Sequence, residues 1–164
     1  MQEEVYLIDG SAYIYRAYHA IAPLSNSHGL PTHAILGFIN MVKRLLRERQ
    51  PTYLAIAFDS RGPVFRHQLY SDYKANRPPM PDDLQAQIPY IKRFVAASQI
   101  LMLEEPGVEA DDIIASAVKM FADRGYKVVL VSGDKDLLQL VNAEVVMWDP
   151  MKDKTMDPEA IHQK

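Results

Sequence analysis

Cysteine is absent from the 164-residue chain, which removes disulfides, thiolate metal sites and cysteine nucleophiles together. Any metal must be held by oxygen or imidazole. The five histidines, His19, His28, His33, His67 and His162, show no ligand spacing, so they read as isolated surface or core residues and not as a zinc site. Long apolar runs are also missing: none approaches the roughly 20 residues that span a bilayer, and the opening Met1-Gln2-Glu3-Glu4 has neither a basic nor an apolar leader region. The expectation is a cytoplasmic protein without a membrane partner. Positive charge is in slight deficit, 18 Lys and Arg against 21 Asp and Glu. A formal net charge of -3 speaks against a nucleic-acid partner if charge is evenly spread, which makes its distribution along the chain decisive.

What is present is ordinary globular composition, 48% hydrophobic and 24% charged, enough for a single domain over residues 1–164 with a real core. The acids are unevenly placed. Pro106 and Gly107 make a turn, Glu109, Asp111 and Asp112 follow, and Ile113, Ile114, Ala117, Val118 and Phe121 then form an apolar helical stripe. One or two acids at a helix start satisfy capping and the helix dipole. A larger convergence would need cations, because each carboxylate pair at close range costs roughly 4 kcal/mol at an effective dielectric near 20.

Three apolar segments supply that convergence. Glu4 to Asp9, Thr52 to Asp59 and Lys127 to Asp134 each read as a buried strand leaving through an aspartate, and Asp136 follows the third. Helical patterns lie between them, from Ser11 to Ala22 and from Thr32, as a capping residue, to Pro51, which stops the second. Strands alternating with helices predict an α/β fold with a mostly parallel central sheet flanked by helices, so the strand carboxyl ends share one edge. Further strands are expected at 144–148 and Leu101 to Leu103, and a helix from Asp83 to Ser98 kinked at Pro89. Any single aspartate here could be only a cap for the next helix. Seven acids from four segments, Asp9, Asp59, Glu109, Asp111, Asp112, Asp134 and Asp136, require a shared explanation. Hard oxygen ligands suit Mg²⁺ or Mn²⁺, and two such ions about 3.5 to 4 Å apart can drive phosphodiester hydrolysis.

Part of the positive charge is set apart from the acids in one stretch. Between the second strand and Pro81 stand Arg61, Arg66, Lys74 and Arg77, interleaved with Phe65, Tyr70 and Tyr73. Cations bind phosphates and aromatic rings stack on bases, so this basic, aromatic loop beside an acidic site points to nucleic acid. Its length and polarity lead us to expect mobility without DNA.

The stretches DGSAYIYRAYHA, FDSRGPVFRHQLYSDYKANRPPMPDDLQAQI, PGVEADDIIAS and SGDKDLLQLV, in this order and spacing, resemble the 5′ nuclease (5′-to-3′ exonuclease) domain of bacterial DNA polymerase I, within the flap endonuclease family. The resemblance covers nearly the whole chain and implies a PIN-like core and a Mg²⁺-dependent enzyme with two ions. It would remove 5′ flaps and RNA primers from flapped or nicked DNA while covalently linked to polymerase domains. It puts a first metal group on Asp9, Asp59, Glu109, Asp111 and Asp112 and a second on Asp134 and Asp136. Lys74 and Arg77 fall where that family has arch residues contacting the scissile phosphate, Arg16 falls at a similar basic active-site position, and Arg61, Arg66 and Tyr73 belong to the DNA-contacting stretch.

Two features qualify the match. The family's last metal aspartates and its helix-hairpin-helix element would lie beyond Lys164, and Asp157-Pro158 opens a helix that has no stop signal before the end, so truncation is expected. Glu109 and Asp111, about 200° apart on a helix, can converge only if Glu109 sits at or before the helix start. Alternatives stay open at this point: a metal- or DNA-binding fragment without turnover, or a PIN-type ribonuclease, although the latter would not need the insertion from Arg61 to Pro81. A phospho-acceptor receiver domain would want an acidic pair directly after the first strand, which Asp9-Gly10-Ser11 does not provide.

Overall fold

A computed structural model of the chain describes residues 3–60 and 80–162. The β-branched and aliphatic runs form five parallel strands, β1 (Glu4–Asp9), β2 (Tyr53–Ala57), β3 (Leu101–Leu103), β4 (Lys127–Val131) and β5 (Val145–Asp149). A short β6 (Lys154–Met156) pairs antiparallel with β5. The helices are α1 (Gly10–Ala20), α2 (His33–Arg49), α3 (Asp82–Gln85), α4 (Ile88–Ala97), α5 (Ala110–Asp123) and α6 (Pro158–His162), with a 3₁₀ segment at Lys135–Leu140. Across the sheet the order is β3-β2-β1-β4-β5-β6. The chain therefore winds outward in one direction from β1 and then in the other, and the order reverses between β1 and β4.

The continuous apolar strands are explained by helices on both faces. Tyr6 and Ile8 of β1, with Val129 and Val131 of β4, pack on one side against Tyr13, Phe38, Val42 and Ile91 from α1, α2 and α4. Leu7, Val128 and Leu130 face the other way, against Ile114, Ala117 and Val118 of α5. Period-two alternation thus fills two cores instead of one core and a wet face. Gly10 lets α1 start close against β2: a Cβ there would stand 2.7 Å from the Ala57 carbonyl oxygen.

The expected strands within Glu4 to Asp9, Thr52 to Asp59, Leu101 to Leu103, Lys127 to Asp134 and 144–148 are all present, with ends differing by up to three residues. Two expectations need correction, and one element is additional. Thr32 occupies the position before α2 but its side chain makes no cap; Gln87 Oε1 accepts instead from Ala34 N at 2.7 Å and Ile35 N at 3.1 Å. The helix expected from Asp83 to Ser98 is two helices, and Pro89 lies in the first turn of α4, where a missing N–H costs nothing because those donors have no intrahelical acceptor. β6 was not foreseen, since three residues of mixed polarity carry no strand pattern. No helix among the described residues is long and apolar enough to cross a membrane.

Candidate metal centre

The reversal of strand order leaves an opening at the carboxyl edge between β1 and β4, the place where open α/β sheets bind ligands. Asp9 is the last residue of β1, Asp134 lies just past β4, and Asp111 stands in the first turn of α5. One carboxylate oxygen from each lies within 4.8 Å of the other two. This trio draws Asp9 and Asp111 from one of the two metal groups implied by resemblance and Asp134 from the other.

Local backbone rules explain how each acid is aimed. Asp9 Oδ1 caps α1 by accepting from Ala12 N at 3.3 Å, while Oδ2 accepts from Ser132 Oγ at 3.2 Å. Ser132 is fully buried, and its hydroxyl also accepts from Asp134 N at 3.0 Å. Asp134 in turn caps the 3₁₀ segment by accepting from Asp136 N at 2.9 Å. Capping and clustering therefore coexist, because a carboxylate has oxygen lone pairs enough for both. Glu109 takes extended backbone angles immediately before α5, outside the regular helix that would hold it away from Asp111.

The remaining sequence-selected acids are not part of the trio. Asp59 is exposed, yet its Oδ1 accepts from Ala110 N at 2.7 Å and its own N–H donates to Ser11 Oγ at 2.8 Å. It thereby caps α5, a helix 51 residues later in sequence, and pins Asp111 beside β2. Glu109 is buried, Asp112 is half-buried and Asp136 is exposed. Arg16 is paired: its Nη1 donates to Asp149 Oδ1 at 3.1 Å. Arg61, Arg66, Tyr73, Lys74 and Arg77 lie outside the described residues. Ser60 and Met80, the described residues on either side of that segment, line a cleft of about 410 Å³ with Ser11, Tyr15, Asp59 and Lys92.

Electrostatics fit a cation. Burial, the largest cause, pushes Asp9 from its ordinary 3.8 up to about 7, and the nearby charges of Asp111 and Asp134 push in the same direction against the Ala12 and Ser132 hydrogen bonds. A buried carboxylate in this state lacks a compensating positive charge. Three convergent carboxylates with no sulfur or imidazole form a donor set for a hard divalent ion.

Sequence reading missed three residues that shape this edge. Ser132 stands two positions before Asp134 and could have been found as a hydroxyl competing for a turn N–H. Ser11, directly after Asp9-Gly10, holds Asp59. Asp149 ends β5, so it repeats the strand-then-aspartate pattern that identified Asp9.

Comparison with known proteins identifies relatives of this chain. Residues 4–164 match the family model described as 5′-3′ exonuclease, N-terminal resolvase-like domain. The chain is 44% identical over 160 residues to a 5′-3′ exonuclease of Aquifex aeolicus, covering 98% of this chain and 55% of that protein. It is 45% identical over 141 residues to DNA polymerase I of Caldicellulosiruptor bescii, covering 86% of this chain and 17% of that protein. The chain thus spans about half of the first relative and under a fifth of the second. A bacteriophage T5 D15 flap endonuclease variant, solved as a pseudo-enzyme-product complex with DNA and metal ions, superposes with a TM-score of 0.73 at 18% identity, covering 98% of this chain and 60% of that one. At that identity the likeness speaks for the fold. With the family match spanning nearly every residue, the chain belongs to the family of 5′-3′ exonuclease N-terminal resolvase-like domains.

Proposed function

We propose that this domain hydrolyses phosphodiester bonds of DNA at 5′ flaps and nicks, RNA primers included, using Mg²⁺ or Mn²⁺ held by Asp9, Asp111 and Asp134. The observation that carries the reading is the convergence of these three carboxylates within 4.8 Å at the switch in strand order. A bound divalent cation supplies charge neutralisation at the scissile phosphate and a more acidic water. Asp59 and Asp136, both exposed, offer carboxylates toward a second ion, and Glu109 and Asp112 add negative charge at the helix start that carries Asp111.

The remaining residues bind and orient. Ser132 fixes the direction of Asp9 and the turn carrying Asp134. Arg16, Lys74 and Arg77 provide cations for the substrate phosphate, and Arg61, Arg66 and Tyr73 track and stack on the strand, as basic and aromatic residues do on single-stranded nucleic acid. In the parent polypeptide the domain would be joined to polymerase domains, as in the DNA polymerase I proteins to which it is similar.

Incubating a 5′-labelled flap duplex with the protein tests the reading. Short 5′ products that form with Mg²⁺ or Mn²⁺, disappear with chelator and fail to form with Asp111→Asn are expected. Metal-dependent cleavage of single-stranded RNA alone would assign it to the ribonucleases of this fold, and DNA binding without products would make it a binding module.

A further inference from the structure

Asp149 is a buried carboxylate outside the set of seven acids, on the same sheet edge as Asp9 and one strand beyond Asp134. Its Oδ1 accepts from Met151 N at 3.0 Å, so its own turn holds it rigid. The same oxygen takes Arg16 Nη1 at 3.1 Å and lies 3.5 Å from the Tyr13 hydroxyl. The Arg16 guanidinium also sits over the Tyr13 ring, 5.4 Å from its centroid. Above this assembly passes Gly133, between Ser132 and Asp134. A Cβ on Gly133 would lie 2.6 Å from Arg16 Nη1 and 2.8 Å from Asp149 Oδ2. The guanidinium is therefore packed against the corner that carries Asp134.

A flexible arginine at the rim of three convergent carboxylates has an obvious alternative: to fold into them as an internal counter-ion and compete with a metal. Only a stronger local partner prevents that. We infer that Asp149 is a positioning residue that holds Arg16 beside the acidic trio and keeps its guanidinium out of the metal site. Its fixed carboxylate and the Tyr13 ring anchor one side of the guanidinium. The side chain remains 31% exposed, and a guanidinium has five N–H donors, so donors are left for a substrate phosphate. The inference rests on the nuclease reading of the trio but makes its own claim about metal affinity.

Calorimetric titration of Mn²⁺ into the full chain and its variants provides the test. Asp149→Asn keeps the shape and an oxygen acceptor but removes the charge that retains Arg16; it should weaken Mn²⁺ binding roughly three- to tenfold, a coupling of ordinary size for neighbouring charges. Arg16→Gln should not weaken it, and the double variant should return to the Arg16→Gln value. Gly133→Ala, whose Cβ crowds the Arg16–Asp149 contact from both partners, should weaken binding and be suppressed by Arg16→Gln in the same way; it serves if Asp149→Asn does not fold. An equal loss in the single and double variants, or unchanged affinity in both Asp149→Asn and Gly133→Ala, overturns the inference. Absence of Mn²⁺ binding by the unaltered protein would overturn the metal-site reading itself, and this inference with it.

Discussion

The hydroxyl of Ser132 donates to Asp9 Oδ2 at 3.2 Å while accepting from the backbone N–H of Asp134 at 3.0 Å, so one buried side chain ties together two acids from adjacent strands. Ser132→Ala leaves the Asp134 N–H without its acceptor and Asp9 with one hydrogen bond fewer. A loss of about 1 to 3 kcal/mol in urea unfolding is expected, together with weaker Mn²⁺ binding by calorimetry. Ser132→Thr, which keeps the hydroxyl, should recover most of the metal affinity.

The pH dependence of the metal-free protein follows from Asp9. Its folded-state value of about 7 exceeds the ordinary 3.8, so the folded chain binds the proton more tightly than the unfolded chain. That contribution is complete below about pH 4 and is lost as pH rises toward 7, amounting to at most about 4 kcal/mol for a shift from 3.8 to about 7. Melting temperature in chelator should fall across this window, and Asp9→Asn should flatten the profile. Divalent-ion affinity should run the opposite way, rising with pH and levelling above about 7. A metal-free melting temperature that rises steadily from pH 4 to 7 would contradict this account.

Asp111 adds negative charge beside Asp9, so neutralising it acts in two directions. Asp111→Asn should raise the melting temperature in chelator and reduce the increase that millimolar Mg²⁺ or Mn²⁺ gives the unaltered protein. Calorimetry without divalent-ion binding, combined with a metal-free Asp111→Asn less stable than its parent, would make these acids structural caps.

Lys74 and Arg77 are expected to act on the substrate and not on the fold. Lys74→Ala and Arg77→Ala should each slow single-turnover flap cleavage by about tenfold or more, the size of a lost charge-stabilising contact in a transition state, with the melting temperature nearly unchanged. A parallel fall in stability and rate would remove them from substrate binding.

How much of this could be read from the chain depends on the range of the forces involved. Apolar runs ending in aspartate specified β1, β2 and β4, and the parallel pairing expected of strands alternating with helices brought Asp9 and Asp134 to one edge. Helix geometry allowed Glu109 to converge with Asp111 only from a place at or before the helix start, and Glu109 stands immediately before α5. These are consequences of nearest-neighbour chemistry and periodicity, and they remain legible without coordinates. Tertiary packing decided the rest. That Asp111 joins Asp9 and Asp134 while Asp59 caps α5 depends on side-chain directions set by two cores meeting at β1. Gln87 replaces Thr32 as the cap of α2 across 53 residues of sequence, and Asp149 takes Arg16 across 133. Hydrogen bonds and ion pairs act over about 3 Å, so partners this distant in sequence become choices only after the sheet has set their separation.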